Sequence, residues 1–295
     1  MLPIYIGAPI AFIYGIIVGS FLNVCIYRMP EDKSVINPPS HCPICNTRLR
    51  GLDLVPLFSF LFLGKKCRYC KTPISWRYFL IELLTGVFFT LVYFKHGYSI
   101  DFFAYVLFGS ALIIAFFVDL EHLIIPDQVW QVGAVVGLGK DIAHIIAGSG
   151  GYVQIPIPFT EISFPMLNSI IGFLICGGIF YIIGYVSFYI FMPKDEKSQE
   201  EYEGGMGAGD VKLAAGTGAV LGVLPAIVSF FIAIVLGAFI GVGILIARSR
   251  QKSKDVEWRT QIPFGPFMVV GAMAWMFADK QLIWLWSAWV NFVAP

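Results

Sequence analysis

Along this chain apolar residues gather into long runs broken by short polar stretches. Eight runs stand out, at about 4–26, 78–94, 102–120, 127–147, 167–192, 208–223, 226–247 and 264–286. Most lie near or above the roughly 18 consecutive apolar residues that mark a membrane-crossing helix. The pattern predicts an all-α polytopic membrane protein with about eight transmembrane helices. The fourth run carries Lys140, Asp141 and His144 near its far end. The last can stop near Ala278, leaving "LIWLWSAWVNFV" as an aromatic anchor in the interface. Two segments break the pattern. Residues 28–77 are polar, basic and Pro-containing, long enough for a small module between the first two spans. Residues 148–166 alternate as strands do and predict a cap or short hairpin.

Composition agrees with the runs. The chain of 295 residues is 58% hydrophobic and 13% charged, against about 45–50% and about 25% in soluble domains. The net charge of +1 says little, but its distribution says more. With the N-terminus outside, the loops at 27–77, 121–126, 193–212 and 248–263 face inward and hold 17 of the 20 Lys and Arg. That bias follows the positive-inside rule. No basic residue precedes Arg28, so the first run reads as a retained span (1–27) rather than a cleaved signal. The acidic stretch "PKDEKSQEEYE" (193–203) reads as a solvated inside loop.

The insert at 28–77 contains "CPIC" (Cys42, Cys45) and "CRYC" (Cys67, Cys70), separated by 21 residues. Two such pairs can supply four thiolates to a closed tetrahedral structural zinc site. A segment this short has little core, so metal binding would supply much of its folding energy. A redox dithiol pair or two disulfides are the alternatives, and the reducing inner side disfavours disulfides. His41 reads as a turn residue, and Cys25 and Cys176 as small buried hydrophobes.

Two aspartates carry the chemistry. Asp119 ends a run of some 17 apolar residues, where an ionisable side chain is costly and marks function by default. Asp210 follows the alternating glycines of "GMGAGD" and opens the helix "VKLAAGTGAV", whose small residues permit close helix packing. Asp127, at the next helix start, is a rival for the catalytic member, although capping accounts well for its position. The topology puts Asp119 and Asp210 on one side of the membrane. Two carboxylates within a few ångströms share one proton, so that one deprotonates water while the other polarises a carbonyl. The same pair could instead relay protons or bind cations in an ion- or proton-coupled transporter.

The ordered motifs "GSFLNVCIYRMP", "CPIC…CRYC", "ISWRYFLIELLTG", "VDLEHLIIPD" and "GMGAGDVKLAAGTGAVLG" resemble the bacterial type IV prepilin peptidases, the GxGD type of aspartic protease, over about 20–245. The resemblance implies a bifunctional enzyme in the bacterial cytoplasmic (inner) membrane, its module and active site facing the cytoplasm. It implies cleavage of the basic leader of type IV prepilin-like precursors, whose charge the acidic 193–203 loop would suit. N-methylation of the new N-terminus by S-adenosylmethionine would follow. The family's catalytic aspartates fall on Asp119 and Asp210, its zinc cysteines on Cys42, Cys45, Cys67 and Cys70, and a glycine tied to methyl transfer on Gly64. The expected domains are then a first span (1–27), a zinc module (28–77) and a membrane-embedded peptidase domain (78–295). The expected partners are prepilin-like precursors and the lipid bilayer, with no nucleic acid. This chain has Phe79 where the family commonly has proline after Arg77-Tyr78, and the 91 residues from Asp119 to Asp210 are many for the family.

Overall fold

The structure, a computed structural model, describes residues 3–156, 163–191, 207–250 and 263–293. The 193–203 loop therefore lies outside the described residues. The chain divides into two compact units, Met1–Val118 and Asp119–Pro295.

In the first unit, α1 (Ile4–Arg28) leads through the module, which includes the short α2 (Phe58–Phe62), to α3 (Trp76–His96) and α4 (Ile100–His122). Helix α3 starts where the Ser75 hydroxyl accepts the Arg77 N–H, and it stops at Gly97, whose φ of 59° an L side chain resists. Glycines set how close α1 and α3 come. A Cβ on Gly15 would stand 2.7 Å from Gly86 Cα, and one on Gly19 would stand 2.8 Å from Glu82 Cα. Backbone contact of this kind is how helices associate in lipid, where apolar bulk alone gives no preference.

Buried polar groups fasten the module to this helix pair. Arg28 donates to the carbonyls of Ser34 and Pro38 at 2.9 and 2.7 Å. Glu82, buried on α3, accepts the Leu57 N–H at 2.8 Å and so holds the turn before α2. Phe60 of α2 packs between the rings of Trp76 and Phe79.

In the second unit come α5 (Asp127–Ile146), the hairpin β1 (Tyr152–Pro156) and β2 (Ser163–Leu167), then α6 (Asn168–Phe191), α7 (Ala208–Leu221), α8 (Val223–Arg250) and α9 (Gly265–Val293). The strands pair antiparallel with Tyr152 opposite Leu167, which is the hairpin the alternation predicts. Helix α7 lies against both α5 and α6. It is buried from Leu213 to Leu221, and its neighbours touch its backbone directly. A Cβ on Gly172 of α6 would sit 1.9 Å from the Gly218 carbonyl oxygen, and one on Gly137 of α5 would sit 2.4 Å from that of Ala219.

Each of the eight apolar runs forms a helix. Among the described residues five of these, α1, α3, α4, α6 and α8, are long and apolar enough to cross a membrane. The other three depart for visible reasons. Helix α7 has only 14 residues, about 21 Å at 1.5 Å each, against a hydrocarbon core of about 30 Å. Helix α5 carries Lys140 and Asp141, which serve its neighbours' ends. The Lys140 ammonium donates to the Val220 carbonyl at the end of α7, and buried Asp141 accepts the Ser169 N–H at the start of α6 at 2.6 Å. Each charge opposes the dipole end it meets. Helix α9 breaks at Ala278, where the sequence allows a stop. Before the break it runs antiparallel to α8, with Phe267 beside Gly237 and Gly271 beside Ser229. Trp286 nevertheless packs on Phe231 at 5.6 Å between ring centroids. A straight helix would carry Trp286 about 22 Å beyond Gly271, so the segment after Ala278 folds back along α8.

The backbone contact at α7 is testable. Gly218→Ala should lower the thermal midpoint in detergent by the equivalent of about 1–3 kcal/mol, the cost of overpacking. Gly178→Ala, which meets no atom within 4 Å, should leave it unchanged.

Candidate functional site

Two candidate sites emerge, one in each unit. In the first, Cys42, Cys45, Cys67 and Cys70 bring their four sulfurs within 4.8 Å of one another. The Cys42 and Cys70 sulfurs are 3.8 Å apart. Four thiolates at about 2.3 Å from a central zinc stand about 3.8 Å from each other, so the set has the size and chemistry of a tetrahedral metal site. Two copies of one turn build it. In each, a Cys-x-x-Cys pair is followed by one residue and a threonine. The Cys42 and Cys67 N–H groups donate to the carbonyls of Thr47 and Thr72 at 3.0 and 2.8 Å. Asn46 and Lys71 take positive φ, 54° and 61°, at the same place in each copy. This repeat is legible as "CPICNT" and "CRYCKT", although the spacing analysis uses only the cysteines.

The pKa of the second thiol of each pair is lowered by its threonine neighbour. The Thr72 hydroxyl, 3.2 Å from the Cys70 sulfur, and then the Thr72 backbone bring that thiol down to about 6. The Thr47 hydroxyl acts likewise on Cys45. Burial pushes the Cys42 thiol up. His41 turns its Nδ1 to the Pro39 carbonyl at 3.0 Å and stands apart from the four sulfurs, as a turn residue would. Gly64 has a φ of 60° with open space where a Cβ would stand, so the backbone rather than crowding favours glycine there.

The second site lies in the second unit. Asp119 is carried on the last turn of α4 and is only 6% exposed. Asp210 lies in the first turn of α7 and is half-buried. Both aspartates come to one place, around the side chain of Ile125. Ile125 stands between their supports. A Cβ on Gly209 would lie 3.1 Å from Ile125 Cβ, and one on Gly265 would lie 3.1 Å from Ile125 Cδ1. Gly207, also of the glycine-rich motif, caps α7 with its carbonyl accepting the Asp210 N–H at 3.0 Å. Asp127 makes an ion pair with Lys212 at 2.6 Å between exposed side chains, an arrangement worth about 0–1 kcal/mol.

One contributor is absent from the sequence reading. The Gly265 backbone, at the start of α9, lies directly against the Asp119 carboxylate. A Cβ at Gly265 would sit 2.5 Å from Asp119 Oδ2. The signal available in "PFGPF" is only that of a helix start, because Pro266 favours the first turn.

The chemistry this arrangement permits is that of two unequal carboxylates in a largely water-excluding setting. One is buried with the Gly265 backbone against its oxygen; the other is half-buried at a helix start beside the glycines.

Comparison with known proteins matches the regions that hold both sites. Residues 13–96 match the bacterial peptidase A24 N-terminal domain, and residues 106–242 match the type IV leader peptidase family. A prepilin leader peptidase/N-methyltransferase of Myxococcus xanthus is 32% identical over 95% of this chain and 76% of its own. That of Bacillus subtilis is 30% identical over 92% and 94%, and that of Aeromonas hydrophila 28% over 93% and 92%. No solved structure matches the chain. The first match covers the four cysteines and the second both aspartates, and with relatives alike over nearly its whole length, this chain belongs to the type IV leader peptidase family.

Proposed function

We propose that this protein is a membrane aspartic endopeptidase that removes the leader of type IV prepilin-like precursors, and that it also N-methylates the N-terminus so exposed. Relatives of this name align over more than nine-tenths of the chain. The observation that carries the peptidase reading is that Asp119 and Asp210, from two different helices, come to one place around Ile125, which touches both Gly209 beside Asp210 and Gly265 against Asp119 Oδ2. We assign them as general base and general acid. One carboxylate takes a proton from water as the water oxygen bonds to the scissile carbonyl carbon. The other gives its proton to the carbonyl oxygen, and collapse of that intermediate returns a proton to the departing amine. Gly209 is filled by Ile125, but a Cβ on Gly207 would meet only Asp210 Oδ2, at 3.9 Å, so an extended peptide can approach Asp210 past Gly207.

The rest of the proposal concerns place and cofactors. The eight helices are read as eight spans in the cytoplasmic membrane, with the 28–77 module and both aspartates on the cytoplasmic side. Residues 1–27 would form the first span and 78–295 the peptidase domain. Zinc is assigned to the four cysteines as a structural ion; at that site it would hold the two turns together. S-adenosylmethionine supplies a methyl group when bound, and Gly64 is the residue of this chain assigned to that activity. A carrier built on the same aspartates would move ions and leave prepilin intact.

Two tests follow. With purified protein and a model prepilin peptide, Asp119→Asn and Asp210→Asn should each lower cleavage by at least about 10²-fold, the scale of general acid–base catalysis. The wild-type rate should fall on both sides of an optimum, since the pair works only when singly protonated. Cleavage at the wild-type rate in either variant would remove that aspartate from the mechanism. For the metal, elemental analysis should find about one zinc per chain and almost none in Cys70→Ser. Protons compete with metal for the four thiolates, so bound metal should be lost as the pH is lowered.

A further inference from the structure

We propose that the short helix α2 of the cysteine module lies in the bilayer and not in the aqueous phase, with Phe58, Leu61 and Phe62 seated among lipid acyl chains at the boundary where α3 enters the membrane. This inference rests on the membrane reading above. It moves into lipid part of a segment that the sequence presents as a polar insert.

Three observations carry it. First, the stretch is apolar on every side. Residues 54–63 read "LVPLFSFLFL", with Ser59 the only polar side chain. Leu57 and Phe60 are buried against the protein, Phe60 between the rings of Trp76 and Phe79. On the other side, Phe58, Leu61 and Phe62 recur at the i, i+3, i+4 spacing of one helix face. They are 54%, 57% and 85% exposed, and the Phe58 and Phe62 rings stack with centroids 6.4 Å apart. A helix that is apolar all round belongs in a protein core or in lipid. Among the described residues, protein covers only one side of this one.

Second, the depth is fixed. Helix α3 has 21 residues, about 31 Å at 1.5 Å each, which matches a hydrocarbon core of about 30 Å. Its first turn therefore stands at the membrane boundary on the module's side. Glu82 lies about 9 Å along the axis from Trp76, and its carboxylate accepts the Leu57 N–H at 2.8 Å. Leu57 directly precedes α2, so α2 is held level with the first turns of a span and not above them. Below Trp76 the exposed side chains of α3 include Leu80, Leu84, Val87 and Leu91, a stripe at helical spacing that lipid would cover.

Third, the charges sit where headgroups would meet them. Residues 42–77 hold seven Lys and Arg and one acidic residue, Asp53. Asp53 is engaged by Arg68, by the Tyr69 hydroxyl at 2.9 Å and by the Arg50 N–H at 3.0 Å. Lys65 and Lys66 come just after α2 and are exposed. The Lys65 ammonium lies 4.7 Å from the centre of the Trp76 ring. An aromatic ring with a lysine beside it at the end of a span suits a membrane interface, where anionic headgroups attract the cation.

The test is photo-crosslinking of the full-length protein in vesicles of phosphatidylethanolamine and phosphatidylglycerol, with a model prepilin peptide present. p-Benzoylphenylalanine in place of Phe62 should give chiefly lipid adducts by mass spectrometry. Their yield should be comparable to that from the same probe in place of Leu84 on the exposed stripe of α3. Phe62 is mostly exposed, so the probe should leave the thermal midpoint unchanged. If the midpoint falls, Leu61 carries the probe instead, and the same adducts are expected. Adducts to the peptide would make this face a substrate-docking surface, adducts to a second copy would make it a dimer contact, and lipid adducts at background yield would leave it in water; each overturns the inference. If the probe at Leu84 also gives no lipid adduct, the membrane reading fails first. If Leu84 gives it and residue 62 does not, only the placement of α2 fails.

Discussion

Helix α7 has almost no side chains between its backbone and those of its neighbours, and the candidate site depends on that. Gly172 faces the Gly218 carbonyl from α6, and Gly137 faces the Ala219 carbonyl from α5. Contacts between main chains leave no rotamers through which the helix could shift. An ionisable residue on the first turn of such a helix is held in space by the turns behind it. Asp210 thus gains a fixed position without a network of its own. The cost is intolerance, since a methyl group at these points has nowhere to go.

The second organising feature is the treatment of charge in apolar surroundings. Buried charges persist only when paired or hydrogen-bonded. Glu82 meets the Leu57 N–H, Asp141 meets the Ser169 N–H, and Arg28 meets two carbonyls. Each links segments that sequence alone leaves unconnected. These structural charges are satisfied by neutral dipoles, while Asp119 is buried with the Gly265 backbone packed against its carboxylate.

Much of this was legible from pattern. Helices follow apolar run length, the break at Ala278 follows the change from small apolar residues to "ADKQ", and the hairpin follows alternation. The four cysteines gather as their spacing requires. What could not be read has a common reason: it depends on distances between segments far apart in the chain. Gly265 looks like any proline-flanked helix start, and only its contact with Asp119 gives it meaning. Lys140 and Asp141 look like a blemish in an apolar run until the ends of α6 and α7 are placed beside them. The shortness of α7, by contrast, was legible, since its run at 208–223 already falls short of the roughly 18 residues of a span. The paired threonines of the cysteine turns were visible and uninterpreted, since a hydroxyl beside a thiolate matters only once the turn is folded.

The charges on α5 also bear on how the family can vary. That helix is tied to α7 at both ends, by Asp127 to Lys212 and by Lys140 to Val220, while Asp141 reaches a third helix. One residue added or removed between Asp127 and Lys140 would turn every later side chain by about 100° around the axis. The far-end contacts, on two different helices, would be lost together. Loops can lengthen at small cost, since closure entropy grows only slowly with length. Length change should therefore accumulate in the connections while α5 keeps its residue count, making that helix a ruler against which the depth of Asp210 is set.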